Sequence, residues 1–135
     1  MEQKDYLLRE IEKIGMVLRA ILNSLIGKKE EIEININFEK TNEQLINEIG
    51  FDLEKFLSLD LSSSKDYLSN FNGINTTNLV LIAEIISQFG INEQTENKKI
   101  YLEKALQIYE LCNLTDKTFS FERESKINKI RNILK

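Results

Sequence analysis

The sequence predicts an all-α protein of about six helices in antiparallel hairpins, on three observations. Apolar residues recur at three- and four-residue steps along most of the chain, proline is absent, and the five glycines lie far apart at positions 15, 27, 50, 73 and 90. Such steps place side chains on one face of a helix, and without proline no helix loses an internal backbone donor. At 135 residues, 41% hydrophobic and 30% charged, the chain has the size and apolar content of one core. Residues 1–135 are therefore read as a single helical domain.

From Asp5 to Ile26, Leu7, Ile11, Ile14, Leu18, Ile21 and Leu25 alternate steps of 4 and 3, which makes a helical seam. Gly27 with Lys28 and Lys29 forms a stop signal with favourable charge at the helix end. Beyond Ile14 the stripe widens through Met16, Val17, Ala20, Leu22 and Ile26. A helix apolar on so much of its circumference needs cover from more than one side. Three arrangements supply it: a central core helix wrapped by the others, which is favoured, a homodimer seam through those six residues, or an interfacial membrane helix.

The run from Glu30 to Phe38 alternates Ile32, Ile34, Ile36 and Phe38 with Glu31, Glu33, Asn35 and Asn37, the period of a half-buried strand. No second strand is evident to satisfy its backbone, and Ile32 with Ile36, like Ile34 with Phe38, is also spaced by four. Helix or irregular linker is favoured over a strand paired across a dimer. Thr41 with Gln44 has the spacing of a capping box, and Leu45, Ile49, Leu53, Phe56 and Leu57 carry a helix to about Leu59, kinked at Gly50. Ser62, Ser63 and Ser64 offer a cap for a short helix to Asn70, and Asn72, Gly73 and Asn75 read as a loop.

Thr76 or Thr77 opens the next helix, which buries Leu79, Ile82, Ala83, Ile86 and Phe89 and stops at Gly90. A long helix follows from about Glu93 to Leu114, with Ile100, Leu102, Ala105, Leu106, Ile108, Tyr109 and Cys112 on its apolar face. The last runs from about Phe119 to Leu134 on Ile127, Ile130 and Leu134. In the corner before it, Thr118 or Ser120 serves as cap, and Phe119 and Phe121 are expected to anchor the turn in the core.

Charge and composition narrow function. A net charge of −4 and a pI of about 5.0 oppose a phosphate-binding footprint, so no nucleic-acid partner is expected. The most basic stretch, Glu122 to Lys135, is only net +3 and reads as a solvated helical face, with Arg123 as a candidate partner-facing cation. No run approaches about 18 apolar residues, so no transmembrane segment is expected. The N-terminus mixes acids and bases before any apolar run, unlike a signal peptide. With Cys112 as the one cysteine, no internal disulfide forms, and a cytoplasmic location is expected. Asn, Ile and Lys are abundant throughout, so individual asparagines are not read as sites.

The stretch from Leu79 to Cys112 resembles a tetratricopeptide repeat. Leu79, Ile82, Ala83 and Ile86 match the pattern of its first helix, and Ala105, Tyr109 and Cys112 that of its second. Small residues in such a hairpin sit where helix axes approach, and large ones fill the adjoining grooves. The match is stretched: Lys117 occupies the usual place of proline, and Ala83 and Ala105 lie 22 residues apart, roughly ten more than the usual repeat. Asp5 to Ile26 and Thr41 to Leu59 have the lengths for a second hairpin but lack the alanine signature. Through the segments Asp5 to Gly15, Glu103 to Leu106 and Asp116 to Arg123, the whole chain also resembles a family of small bacterial proteins of unknown function. That likeness implies a fold and no activity.

Catalytic chemistry is poorly represented. The chain has no histidine, which removes the common triads and imidazole metal ligands. Cys112 shares a helical face with Ala105 and Tyr109 and reads as a small core residue. The dispersed glycines build neither a P-loop nor a dinucleotide fingerprint, and Glu30, Glu31 and Glu33 read as solvated acids without the burial that raises a pKa. Neither enzyme activity nor a cofactor or metal is expected. The expected function is a non-enzymatic, tetratricopeptide-like adaptor whose groove beside residues 76–114 takes a peptide or one helix, with Tyr101, Lys104 and Tyr109 as exposed contacts. The alternative is a structural homodimer joined through the N-terminal seam.

Overall fold

The computed structural model describes residues 2–26, 31–116 and 120–135, with side chains for 4–26, 38–116 and 120–135. Among these the protein has seven α-helices and no strand: α1 Glu2–Ile26, α2 Glu31–Ile49, α3 Leu53–Ser58, α4 Leu61–Leu68, α5 Thr76–Ile91, α6 Asn97–Asp116 and α7 Phe121–Leu134. No described helix is long and apolar enough to cross a membrane. The expected stop at Gly27 to Lys29, the side chains of the isoleucine and glutamate alternation, and Lys117, Thr118 and Phe119 lie outside the described residues.

The alternating segment is helical from Glu31 onward, so the strand alternative is corrected. Its i, i+4 pairs match a helix as well as its period matches a strand, and a helix satisfies its own backbone. Thr41 caps nothing: it is buried within α2. Gly50 does not kink a longer helix but ends α2, with φ +72° and its N–H donating to Ile46 O at 3.0 Å. That left-handed cap is the conformation glycine adopts without penalty. The chain then restarts at Asp52, whose carboxylate accepts from Lys55 N–H at 3.1 Å and caps α3. This division accounts for seven helices where six were expected. Asp60, and not the serine cluster, caps α4 by accepting from Ser63 N–H at 2.8 Å. Asn75 caps α5, and Ser120 caps α7 as predicted.

Cross-helix contacts give the directions. Gly90 lies against Tyr101 and Leu102, while Thr76, near the other end of α5, shares a cleft with Asp116, so α5 and α6 are antiparallel. Arg123 pairs with Asp116 and Arg131 with Glu110, so α6 and α7 are antiparallel too. The Asn78 amide, near the start of α5, donates to Ile11 O at 3.0 Å, and Leu22 and Ile26, at the end of α1, line one cavity with Gln88 and Ile91 at the end of α5. Earlier residues of α1 thus meet earlier residues of α5 and later ones later, so α1 and α5 run parallel. With α7 parallel to both, α1, α5 and α7 share one direction.

The buried apolar residues form one connected cluster drawn from α1, α2, α3, α5, α6 and α7. Its most enclosed member is α5, which packs most extensively on α6, then on α1, and also against α2. The favoured arrangement, in which the N-terminal helix is the central one, is corrected on that point: Ile14, Leu18, Ile21 and Leu25 enter the core, but α5 is the helix that is wrapped. Four of the six residues of the predicted dimer seam are thereby consumed within this chain, leaving Leu7 exposed and Ile11 partly so. Around the α2–α3 corner, Phe51, Phe56, Tyr67 and Phe71 form a ring cluster with centroids 5.2 to 6.1 Å apart. The Tyr67 hydroxyl there accepts from Asp52 N–H at 2.8 Å. Phe121, expected to anchor the last corner, is 84% exposed.

Candidate functional site

The four residues singled out from sequence fall into two pairs on different sides of α6. Tyr101 and Lys104 face the α2–α4 side. Tyr101 is half-buried, its ring 5.6 Å from that of Phe38 and 6.3 Å from that of Phe89. Burial pushes its phenol pKa upward, with help from the negative charges of Glu93 and Glu54.

Lys104, expected to be exposed, is only 5% so. Its ammonium donates to Leu59 O at 2.8 Å and to Ser64 Oγ, and it lies 4.4 Å from the centre of the Phe56 ring. Those acceptors exist because Asp60 turns the chain between α3 and α4 and leaves the Leu59 carbonyl facing α6. Desolvation lowers the Lys104 pKa to about 8, against the opposing pull of Asp60. Lys104 thus clamps α6 to the α3–α4 corner, and the corner leaves it no outward contact.

Tyr109 and Arg123 face the other side, where α1 and α7 stand on either flank of α5 without close pairing between them. Tyr109 is likewise buried and not exposed, at 1%, and burial raises its phenol pKa well above the ordinary range. Arg123 is held inside the fold: its guanidinium donates to Asp116 at 2.9 and 3.2 Å and to Asn113 Oδ1 at 3.0 Å. Its Nε is buried without a hydrogen-bond partner.

The gap between α1 and α7 is a groove in two parts. One is a polar cleft of about 410 Å³, lined by Arg19 of α1, Thr76, Thr77, Val80, Leu81 and Glu84 of α5, Asp116, and Ser120, Glu122, Arg123 and Lys126 of the last corner and α7. The other, of about 190 Å³, is more apolar, with Leu22 and Ile26 on one wall, Ile130 on the other, and Ser87, Gln88, Ile91 and Tyr109 between them. Both share Glu84 and Lys126, whose side chains pair across the groove from α5 to α7. The α5 residues Thr76, Thr77, Val80, Leu81, Glu84, Ser87, Gln88 and Ile91 step by one and three, a single stripe along the helix. At 1.5 Å per residue that floor is roughly 22 Å long.

The sequence points to a groove beside the α5–α6 hairpin with Tyr101, Lys104 and Tyr109 of α6 as contacts; of the residues it names, Tyr109 and Arg123 line the groove, and Tyr101 and Lys104 do not. The lining comes mostly from α5, α1 and α7, and Arg19, Glu84, Lys126 and Ile130 were not singled out. A signal was present in the polar gap in the α5 stripe: Thr76, Thr77, Glu84 and Gln88 recur on one side of an otherwise apolar helix. No family model, curated protein or solved structure matches the chain.

Proposed function

We propose that the protein is a non-catalytic interaction module, a tetratricopeptide-like helical adaptor that seats a peptide or a single helix in the groove along α5. The observation that carries this reading is that two adjoining cavities, one more polar and one more apolar, lie along one stripe of α5 and share Glu84 and Lys126. The groove's form supports an elongated ligand over a compact one, since a small molecule needs enclosure on most sides. The hairpin succession also favours the reading, because α1, α5 and α7 share one direction and line one face, while α6 returns behind them. Ala83, Ala105 and Cys112, the small residues of the repeat pattern, are all fully buried where helices meet.

Amide chemical-shift mapping of the full chain against a library of helical and extended peptides tests this. Perturbations following Val80, Glu84, Gln88, Ile91 and Lys126 are expected. Shifts confined to another face, or none with any peptide, overturn it.

A second reading, the structural homodimer, keeps one observation in its favour. Tyr6, Leu7 and Leu8 are exposed at the start of α1, where the core seam runs on past its cover.

A further inference from the structure

The groove is not electrostatically neutral. Lys126 is paired with Glu84 and, at 3.6 Å, with Glu122, while Arg123 is paired with Asp116. Arg19 on the α1 wall and Lys129 on the α7 wall are both exposed and have no ion-pair partner among the described residues. The lining holds four cations, Arg19, Arg123, Lys126 and Lys129, against three carboxylates, Glu84, Asp116 and Glu122, a net of +1, and the two cations without an ion pair stand on opposite walls. This local excess is positive in a chain whose net charge is −4. The N-termini of α5 and α7 open at the same polar end and add the positive poles of two helix dipoles.

Backbone chemistry selects the form of the occupant. Away from the N-termini of α5 and α7 the groove walls are helix faces whose backbone groups bond within their own helices, and the Ser87 hydroxyl is committed to Ala83 O at 2.8 Å. An extended peptide laid there buries N–H and C=O groups with little to pair with them, whereas a helix brings its own pairing. At its apolar end the groove presents Ile26, 58% exposed, together with Leu22, Ile91 and Ile130.

Resting on the interaction-module reading, we propose that the groove takes an acidic amphipathic helix of another protein, of about 15 residues to match the floor. Its apolar stripe docks on Val80, Leu81, Ile91 and Ile26, and carboxylates on its two flanks meet Arg19 and Lys129. Charges at a rim chiefly set selectivity and association rate and are screened by salt, so the preference for acid is the property to measure.

The test uses the full chain and three synthetic helical peptides that share one leucine stripe and carry Glu, Gln or Lys on both flanks. Binding is followed by fluorescence anisotropy at low and high salt, and the site by amide shifts. The Glu peptide is expected to bind about tenfold more tightly than the Gln peptide at low salt and the Lys peptide least, with the differences shrinking at high salt. In the double variant Arg19→Glu, Lys129→Glu, whose sites are exposed and whose fold circular dichroism verifies, the order of the Glu and Lys peptides is expected to reverse. Equal binding of Glu and Gln peptides in the groove, or an unchanged order in the variant, overturns the acidic partner and leaves the interaction module standing. Binding of no peptide overturns both. Concentration-dependent shifts of the groove amides without peptide identify a second copy as the occupant and also overturn the proposal.

Discussion

At the scale of the residue, burial decides how the side chains behave. Lys104 is a lysine whose charge is disfavoured by its surroundings, with a pKa of about 8 in the fold against an ordinary 10.5. Below pH 8 both folded and unfolded chains hold the proton, and the full desolvation penalty is present. Between about pH 8 and 10.5 the folded chain releases the proton first, so this group makes stability rise with pH, by on the order of 2 kcal/mol. Tyr109 and Cys112, pushed upward by burial, act in the opposite sense at alkaline pH. Comparing urea midpoints of the native chain and Lys104→Met at pH 7 and 9.5 isolates Lys104. The stability difference is expected to move in favour of the native chain at the higher pH, and an identical difference at both refutes the assignment. Cys112 is fully buried, with a thiol pKa raised to about 11 chiefly by burial, partly offset by Arg123. It should resist a disulfide reagent at pH 8 in the native protein and titrate as one thiol in denaturant; rapid native labelling contradicts this.

At the scale of the element, two glycines distinguish conformation from space. A Cβ on Gly90 would stand 2.7 Å from Leu102 Cδ2 and 3.0 Å from Tyr101 Cβ, so Gly90→Ala forces α5 and α6 apart. The helix-propensity gain of about 1 kcal/mol is outweighed, and a net loss of roughly 1–3 kcal/mol is expected by thermal or urea unfolding. Gly50→Ala meets nothing within 4 Å but must hold φ +72°, a loss of about 1–2 kcal/mol. A stabilised Gly90→Ala would remove the close-approach argument. Asn78 is the polar counterpart of these contacts. Its buried amide donates to Gly73 O at 2.7 Å as well as to Ile11 O, tying α5 to α1, so Asn78→Ala cuts that tie and takes from Gly73 O its side-chain donor, while Ile11 O keeps its bond within α1. A loss of about 1–3 kcal/mol in the urea midpoint is expected. The abundance of asparagine masks such a role in the sequence, since only the folded position separates Asn78 from its neighbours.

At the scale of the whole molecule, the seam of α1 shows how a pattern is legible when its partner is not. The alternation of Leu7, Ile11, Ile14, Leu18, Ile21 and Leu25 marks a helix that must be covered, and any complementary apolar face would serve. The chain itself supplies that face from α5, so Ile14, Leu18, Ile21 and Leu25 are spent internally. A dimer is left with Tyr6, Leu7 and Leu8, a small patch beside what stable interfaces bury. Sedimentation should find a monomer at micromolar concentration. A dimer dispersed by Leu7→Glu would instead support the structural homodimer.

By itself the sequence determined the all-helical class and most of the apolar stripes, because helix period acts over a few neighbouring residues; of the predicted caps Ser120 caps α7, while Thr41 and the serine cluster cap nothing and Gly50 ends a helix it was expected to kink. It also placed Cys112 in the core through its spacing with Ala105 and Tyr109. Only the tertiary structure decided that α5 is the enclosed helix, that Lys104 is buried on Leu59 O and Ser64 Oγ, and that Glu84 meets Lys126 across a groove. The last two join residues 40 or more apart in the chain. Their meeting depends on which faces pack together, and local spacing carries no record of that choice.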